Sequence, residues 1–311
     1  MDTHCPSAVI APRLVPVLLM LAVLVSCGGA ASVDTTGEIP QVQHVVVLVI
    51  ENANYTDVVG SATTPYINEL IREGGLADNY YANHHPSLPN YFVITAGISP
   101  TTTDLAPVVT FDNVVRELTA ARKSWKVYAE DLPSTGYLGP DVDPYYFRSF
   151  DAITYFSDVQ PPSPQRMNIV KFSQFSTDLA NGNLPSYSFI IPDTVHNGHS
   201  CPDGGYDCDV NVKLAAADAW LASNLSLLLN NPQFQQSGLL LLTTDESRTD
   251  DTHGGGRVAT VVVGTGVRPA YVGHMLYDHR SLLSLSLTAL GVKNIPNGAG
   301  SANQMTEFFG K

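Results

Sequence analysis

Three features of the sequence point to an α/β fold, with a mostly parallel central sheet flanked by helices in a single domain. The first is QHVVVLVIENAN at residues 43–54, where the aliphatic run at 45–50 has no polar alternation. A strand written that way is buried on both faces, as in a parallel sheet covered by helices. The second is that YSFIIPD at 187–193 and LLLLTTDE at 239–246 have the same character. The third is the alternation of strands and helical segments along the chain, the order that β-α-β crossovers require. All three strands end in carboxylates, and open α/β sheets gather ligands at their strand ends. Glu51, Asp193, Asp245 and Glu246 are therefore expected at one edge, as an oxygen-rich metal site. A polar strand end and turn is the plainer alternative for Glu51 taken alone.

The elements follow in order. After the first strand, Thr64 and Pro65 take the N-cap and first-turn positions of a helix with Ile67, Leu70 and Ile71 as its buried stripe, ended by Gly74 and Gly75. The segment HHPSLPNY at 84–91 turns from loop into helix near Asn90 and runs into apolar residues 92–96 and Gly97. A helix at 112–123 leads into a strand at 125–129. Residues 132–164 are rich in Pro, Gly, Tyr and Asp with little periodicity. They read as an irregular insertion bordering the site, with tyrosines shaping a pocket, or as a surface excursion packed by its own aromatics. A helix at 172–179, followed by Gly182, precedes the second acidic strand, and a long helix at 209–229 precedes the third. A further strand lies at 257–264 and a last helix at 280–290. Gly264-Thr265-Gly266 lacks the third glycine and helix start of a dinucleotide fingerprint.

Composition narrows the function. The 311 residues, with a formal net charge of −13, supply a substantial core and give no sign of disorder. So acidic a surface repels polyanions and speaks against nucleic acid as a partner. An anionic substrate would then need a local cation. A metal answers that need, with Arg248 and Arg257 near the third acidic strand end as helpers.

Residues 1–32 are a targeting segment. Arg13 precedes an apolar stretch at 14–25 that runs into Leu24-Val25-Ser26-Cys27-Gly28-Gly29. That is similar to a bacterial lipobox, in which Cys27 would be acylated and tie the protein to a membrane. An ordinary secretory signal cut near residues 30–32 is the alternative. Both export the protein, as a cell-envelope lipoprotein or a secreted one. Residues 33–42 read as a polar linker and 43–311 as the folded domain. With Cys5 removed and Cys27 lipidated, Cys201 and Cys208 remain on either side of a turn-rich loop. A disulfide fits an oxidising compartment, whereas a structural zinc site would need His at finger spacing.

Three clusters can carry chemistry. Ser87 stands between prolines beside His84 and His85, and a Ser hydroxyl needs a neighbouring base or metal to attack. The helix that follows would offer N–H groups to an anion, although Pro-Ser-x-Pro can also be a simple turn. Asp193, His196 and His199 form the second cluster, as metal ligands, as general acids, or as a locally bonded polar loop. The third joins Asp245 and Glu246 to His253 and Arg257. Two adjacent buried carboxylates repel each other unless protonated or bound to a cation. Asp250 and Asp251 read as solvated loop charges.

The segments VVVLVIEN, HHPSLPNYFVITAG, IIPDTVHNGH and TTDESxxDDxHGGGRVATVVVG resemble the phosphoesterase family that joins bacterial phospholipases C with secreted acid phosphatases, on the alkaline-phosphatase-like superfold. The resemblance runs over residues 44–291. In length and in its Ser motif the chain is more similar to the compact acid phosphatases, including phosphatidylinositol 3-phosphate phosphatases. It implies that Glu51, Asn52, Asp245 and Glu246 bind metal, with Glu246 a longer-armed departure from the Asp-Asp of some members. It implies that Ser87 attacks phosphorus and that Asn90 holds a phosphate oxygen. His196, His199 and Asp193 would stand near the phosphate and leaving group. His279 would be a further ligand or an outer group, and His253 is a second such candidate.

From these residue types, Glu51, Asn52, Asp245, Glu246 and Ser87 would make an all-oxygen shell for Mg2+, Ca2+ or Mn2+. His199 or His196 would serve the leaving alkoxide and the water that follows. Were Asp193, His199 and His279 to converge, a second, nitrogen-rich site would suit zinc. The function expected is an exported metal-dependent phosphomonoesterase acting through a phosphoseryl intermediate, on a phosphate ester that includes phospholipid or phosphoinositide candidates. The alternatives are a phospholipase C-type phosphodiesterase and a non-catalytic anion-binding lipoprotein.

Overall fold

The strand at His44–Ile50, β1, sits in the middle of an eight-stranded sheet, and its residues divide cleanly between two cores. Val45, Val47 and Val49 face one, while Val46, Leu48 and Ile50 face the other. That two-sided burial is why the run carries no polar residue. Each such side chain contributes about 2 kcal/mol through apolar area removed from water.

The computed structural model describes residues 1–2 and 37–310. The described residues from 37 onward form one compact unit. The targeting segment, Cys27 and the first part of the linker lie outside the described residues. Residues 37–42, expected to complete the linker, run along the domain instead. Val42 is buried and its N–H donates to the Ala289 carbonyl at 2.8 Å.

After β1 come α1 (Tyr55–Val58), α2 (Pro65–Glu73), β2 (Gly75–Ala77), β3 (Tyr80–Tyr81), α3 (Ser87–Ala96), α4 (Val114–Ala120) and β4 (Trp125–Ala129). The second half holds β5 (Ile169–Lys171), α5 (Ser173–Ala180), β6 (Tyr187–Ile191), α6 (Val210–Leu229), α7 (Pro232–Ser237) and β7 (Gly238–Thr244). The chain closes with β8 (Thr260–Gly264), β9 (Tyr271–Gly273), β10 (Tyr277–Asp278) and α8 (His279–Ala289). The sheet order is β5-β4-β6-β1-β7-β8-β2-β9, and β3 pairs with β10 separately. Seven strands run one way and β8 alone runs against them, paired antiparallel to both β7 and β2. The mostly parallel sheet is as expected, and β8 begins at Thr260 rather than at residue 257.

Helices cover both faces. On one, α2 and α6 bury Ile67, Leu70, Leu221 and Leu225 with β1's Leu48. On the other, α3 and α8 bury Phe92, Ile94, Leu282 and Leu285 with Val47. All ten residues of α3 are buried, which explains why HPSLPNYFVITAG is apolar all round rather than striped. Gly97 ends that helix in the left-handed region, at φ +78°, where glycine meets no Cβ penalty. The insertion at 132–164 is broken into short 3-10 turns that bury Phe150, Ile153, Phe156 and Val159 in the same core. It is both packed by its own aromatics and pressed against the site, as Phe147 and Phe150 flank His199.

Candidate active site

The acidic ends of β1 and β7 meet the start of α3. Glu51 is fully buried, and its N–H donates to the Asn197 carbonyl at 2.8 Å. Asn52 follows at φ +46°, a left-handed conformation that Asn tolerates better than most residues. The turn aims its N–H at Asp245 Oδ1 and its side-chain amide at Glu51 Oε2, each at 2.9 Å. Ser87 is the first residue of α3, three residues ahead of the expected start near Asn90, with Pro86 at the N-cap. Its hydroxyl donates to Glu51 Oε2 at 2.9 Å and lies against Asp245. Four residues on, the Tyr91 hydroxyl donates to Glu51 Oε1 at 2.6 Å. Glu51, Asn52, Ser87 and Asp245 thus come together from two strand ends and one helix start.

The electrostatics of this group are unfavourable for empty carboxylates. Burial pushes Glu51 up to about 7, against the lowering effect of the Tyr91 and Ser87 hydroxyls. Burial and the Glu51 charge raise Asp245 well above the usual range. Burial, then Asp245 and Glu51, push Glu246 to about 10. No Lys or Arg pairs with any of the three among the described residues. Among the described residues, Asp245 Oδ2 is buried with no hydrogen-bond partner. Buried polar atoms are rarely left so, and an orphaned oxygen among repelling carboxylates fits a hard divalent cation held by Glu51, Asn52, Ser87 and Asp245. Glu246 stands at the side of this group, its Oε2 taken by His85 Nδ1 at 3.0 Å and Asn90 Nδ2 at 3.3 Å.

The other candidates fall in three places. His199 is in the group, with Nδ1 3.5 Å from the Asn52 amide nitrogen and 3.8 Å from Glu51 Oε2. Burial among Phe147, Phe150 and Tyr206 lowers its pKa. Asn90 closes the turn before Ser87, accepting the Asn83 and His84 N–H groups at 3.1 and 3.0 Å. His279 is buried behind the site. Its Nε2 lies 2.7 Å from the Asp245 carbonyl, which can only accept, so Nδ1 accepts the Tyr80 hydroxyl at 2.9 Å. Burial holds that ring neutral, with its pKa near 4.

Asp193 and His196 form a cluster of their own. His196 Nδ1 lies 2.8 Å from Glu130 Oε2 and 3.2 Å from Asp193 Oδ1, and the ring stacks on Trp220. Burial disfavours the charged ring, yet Asp193 and Glu130 push its pKa to about 10. These three residues also bring donor atoms close enough to hold a cation. Asp193, His199 and His279 do not converge, so the condition for a nitrogen-rich second site from that set is not met.

Two candidates stand apart from Ser87. The Arg257 guanidinium is engaged by the Asp78 carboxylate and carbonyl and stacks on Tyr55, 3.8 Å from the ring centre. It clamps the approach to β8 to the end of β2. His253 is exposed and packs on Tyr81. The glycines after it let the loop touch the Ser87 turn: a Cβ at Gly255 would lie 2.6 Å from the His84 carbonyl oxygen.

Three contributors escaped the sequence reading. Tyr91 lies four residues after Ser87, on the same helix face, a spacing that would have found it. Glu130 follows the apolar strand β4, the same pattern that pointed to Glu51. Asp104 accepts the Leu88 N–H at 3.0 Å beside Ser87, and its charge acts on Glu51 and Glu246. No local pattern marks it. Cys201 and Cys208 are joined as expected.

With this geometry in place, comparison with known proteins is informative. The model of the phosphoesterase family matches residues 61–292. A phosphatidylinositol-3-phosphatase of Mycobacterium tuberculosis is 30% identical over 88% of this chain and 84% of its own length. A phosphate-repressible acid phosphatase of Penicillium chrysogenum is 31% identical over 62% of this chain but only 46% of its own length. Among solved structures, an alkaline phosphatase superfamily protein from Vibrio parahaemolyticus aligns with a TM-score of 0.58 at 14% identity, covering 84% of this chain and 69% of that one. That likeness is one of fold. The chain belongs to the phosphoesterase family and is a hydrolase acting on phosphate esters.

Proposed function

We propose that this chain is an exported, metal-dependent phosphomonoesterase with Ser87 as its nucleophile. The observation that carries the reading is the contact of the Ser87 hydroxyl with Glu51 at 2.9 Å, beside an Asp245 oxygen that is buried and unpartnered. A divalent cation bound by Glu51, Asn52, Ser87 and Asp245 would lower the hydroxyl's pKa and neutralise charge on the phosphoryl oxygens.

The chain's own groups supply the rest. The first turn of α3 presents N–H groups to a phosphate oxygen, and Asn90 shapes the turn that leads there. Ser87 Oγ passes its proton to the Glu51 carboxylate and attacks phosphorus, the ester bond breaks, and the phosphoryl group rests on Ser87 until water displaces it and the proton returns to Oγ. His199, between Asn52 and the aromatic wall of Phe147 and Phe150, supplies a proton to the leaving alkoxide and then takes one from the hydrolytic water. His196, clamped by Glu130 and Asp193, holds the loop that carries His199. Phosphoinositides are the substrate class suggested by the mycobacterial relative's name. Export is supported by the N-terminal segment ending at Cys27 and by the Cys201–Cys208 disulfide, which favours an oxidising compartment.

The test is hydrolysis of p-nitrophenyl phosphate by the purified protein. Turnover should vanish on chelation, return with Mg2+, Ca2+ or Mn2+, and fall by about a thousandfold or more in Ser87→Ala, the scale of losing a covalent nucleophile. Activity that survives both treatments refutes the mechanism. Faster release of diacylglycerol from phosphatidylcholine than of phosphate from monoesters would make the protein a phospholipase C-type diesterase instead.

A further inference from the structure

A cavity of about 290 Å³ opens beside the candidate site, lined by Asn52, His199, Lys213 and Arg248. Asp209 and Cys208 complete the wall that matters here. The chain has 16 Lys and Arg against 29 Asp and Glu, yet two of those cations share one cavity next to the predicted phosphoryl position.

Neither cation has a close carboxylate partner among the described residues. Lys213 lies in the first turn of α6, the positive end of the helix dipole, where a cation is disfavoured. It spends one of its three donors on the His199 carbonyl at 3.0 Å. Arg248 is about half exposed and has only a long contact with Asp57, at 3.6 Å. Asp209, the acidic group on the wall, is the N-cap of α6, its Oδ1 accepting from the Asn211 backbone and side chain at 2.8 Å each, so the cavity holds two cations against one carboxylate. The disulfide at Cys208 fixes the loop just before that cap.

We infer that this cavity is a leaving-group subsite for a second anion: a phosphate, phosphodiester or carboxylate carried by the alcohol that departs past His199. The inference rests on the phosphomonoesterase reading and adds the class of ester preferred. His199 stands beside Asn52 and Glu51 and also lines this cavity, so an alcohol leaving on its side enters the space that Lys213 and Arg248 line. The protein's overall field disfavours additional negative charge on a substrate, so a preference for a doubly anionic ester has to come from local cations.

The test compares phenyl phosphate with 3-carboxyphenyl phosphate, whose leaving groups are similar in reactivity and differ in one remote charge. The intact protein should favour the carboxylated ester in kcat/KM by about tenfold, mostly through KM, and Lys213→Met and Arg248→Gln should each reduce that ratio by about threefold, as expected for partly exposed charge pairs. A purely structural role for either residue would lower both rates and leave the ratio unchanged. Calorimetric binding of benzylphosphonate and 3-carboxybenzylphosphonate to the metal-supplemented protein repeats the comparison without turnover. Equal handling of the two members of each pair, or a ratio indifferent to both substitutions, overturns the subsite while phenyl phosphate hydrolysis still stands. Modulation by added sulfate with no ester preference would make the cavity a free-anion site and also overturn it. Failure to hydrolyse either ester overturns the phosphomonoesterase reading itself.

Discussion

Tyr91→Phe isolates a single hydroxyl at the heart of the site. The ring would stay where it is, packed on Phe150 and Phe189 at centroid distances of 5.8 and 6.3 Å. What disappears is the 2.6 Å hydrogen bond to Glu51 Oε1, between two fully buried groups. A hydrogen bond to a charged group contributes about 1.5–3 kcal/mol, and about 1.4 kcal/mol is a factor of ten, so kcat/KM should fall by roughly ten- to a hundredfold. The loss should act through Glu51. Without the hydroxyl its carboxyl is easier to protonate and freer to rotate, so half-maximal activity should require about tenfold more divalent metal. The assay is p-nitrophenyl phosphate hydrolysis across a metal titration, with the thermal transition as a folding control. If kcat/KM and the metal requirement both stay within twofold of the parent in a folded protein, Tyr91 does not hold Glu51 for catalysis and the account of that carboxylate is wrong.

Two further outcomes follow from the geometry. His196 is held protonated, with a folded-state pKa of about 10 against 6.5 unfolded, so its clamp stabilises the fold fully below about pH 6.5 and loses that contribution as the pH rises toward 10. After discounting for solvent screening at a ring about one-third exposed, urea unfolding should register about 1 kcal/mol over that interval, and His196→Gln should flatten it; an unchanged slope in the variant would refute the clamp. Asp104 accepts the Leu88 N–H in the helix turn proposed to hold a phosphate oxygen, so Asp104→Ala should lower KM for phosphate monoesters by about threefold, consistent with removal of one exposed repelling charge. A raised KM would instead make Asp104 part of the binding surface.

Much of this architecture could be read before any coordinates because burial on both sheet faces leaves a plain mark. The unbroken Val45–Ile50 run and the carboxylates that follow it specify a central parallel strand and its ligand-bearing end. Strand direction leaves no such mark. Val261, Val262 and Val263 would look the same in a parallel strand, so the reversal of β8 was hidden. Partnerships between distant segments were hidden for a related reason. Glu130 meets His196 because β4 lies next to β6, and that neighbour order is a property of the assembled sheet. Arg257 lies near the third acidic strand end in sequence, which points it toward the substrate, but Asp78 and Tyr55, far away in sequence, claim it. Tyr91 could have been found from helical spacing alone, had the helix been started at Ser87 rather than at Asn90.

The neutral imidazole of His279 grips the main chain of Asp245, leaving that residue's carboxylate free. The foundations of the catalytic edge therefore extend to the last helix, whose first residue lies 34 positions beyond Asp245 and supplies no group to the proposed reaction. A protein clipped ahead of Tyr277 would keep every proposed reacting side chain and lose the peptide orientation that aims one of them. The tail is a keystone, and inactivation by trimming it need not signal a missing catalytic residue.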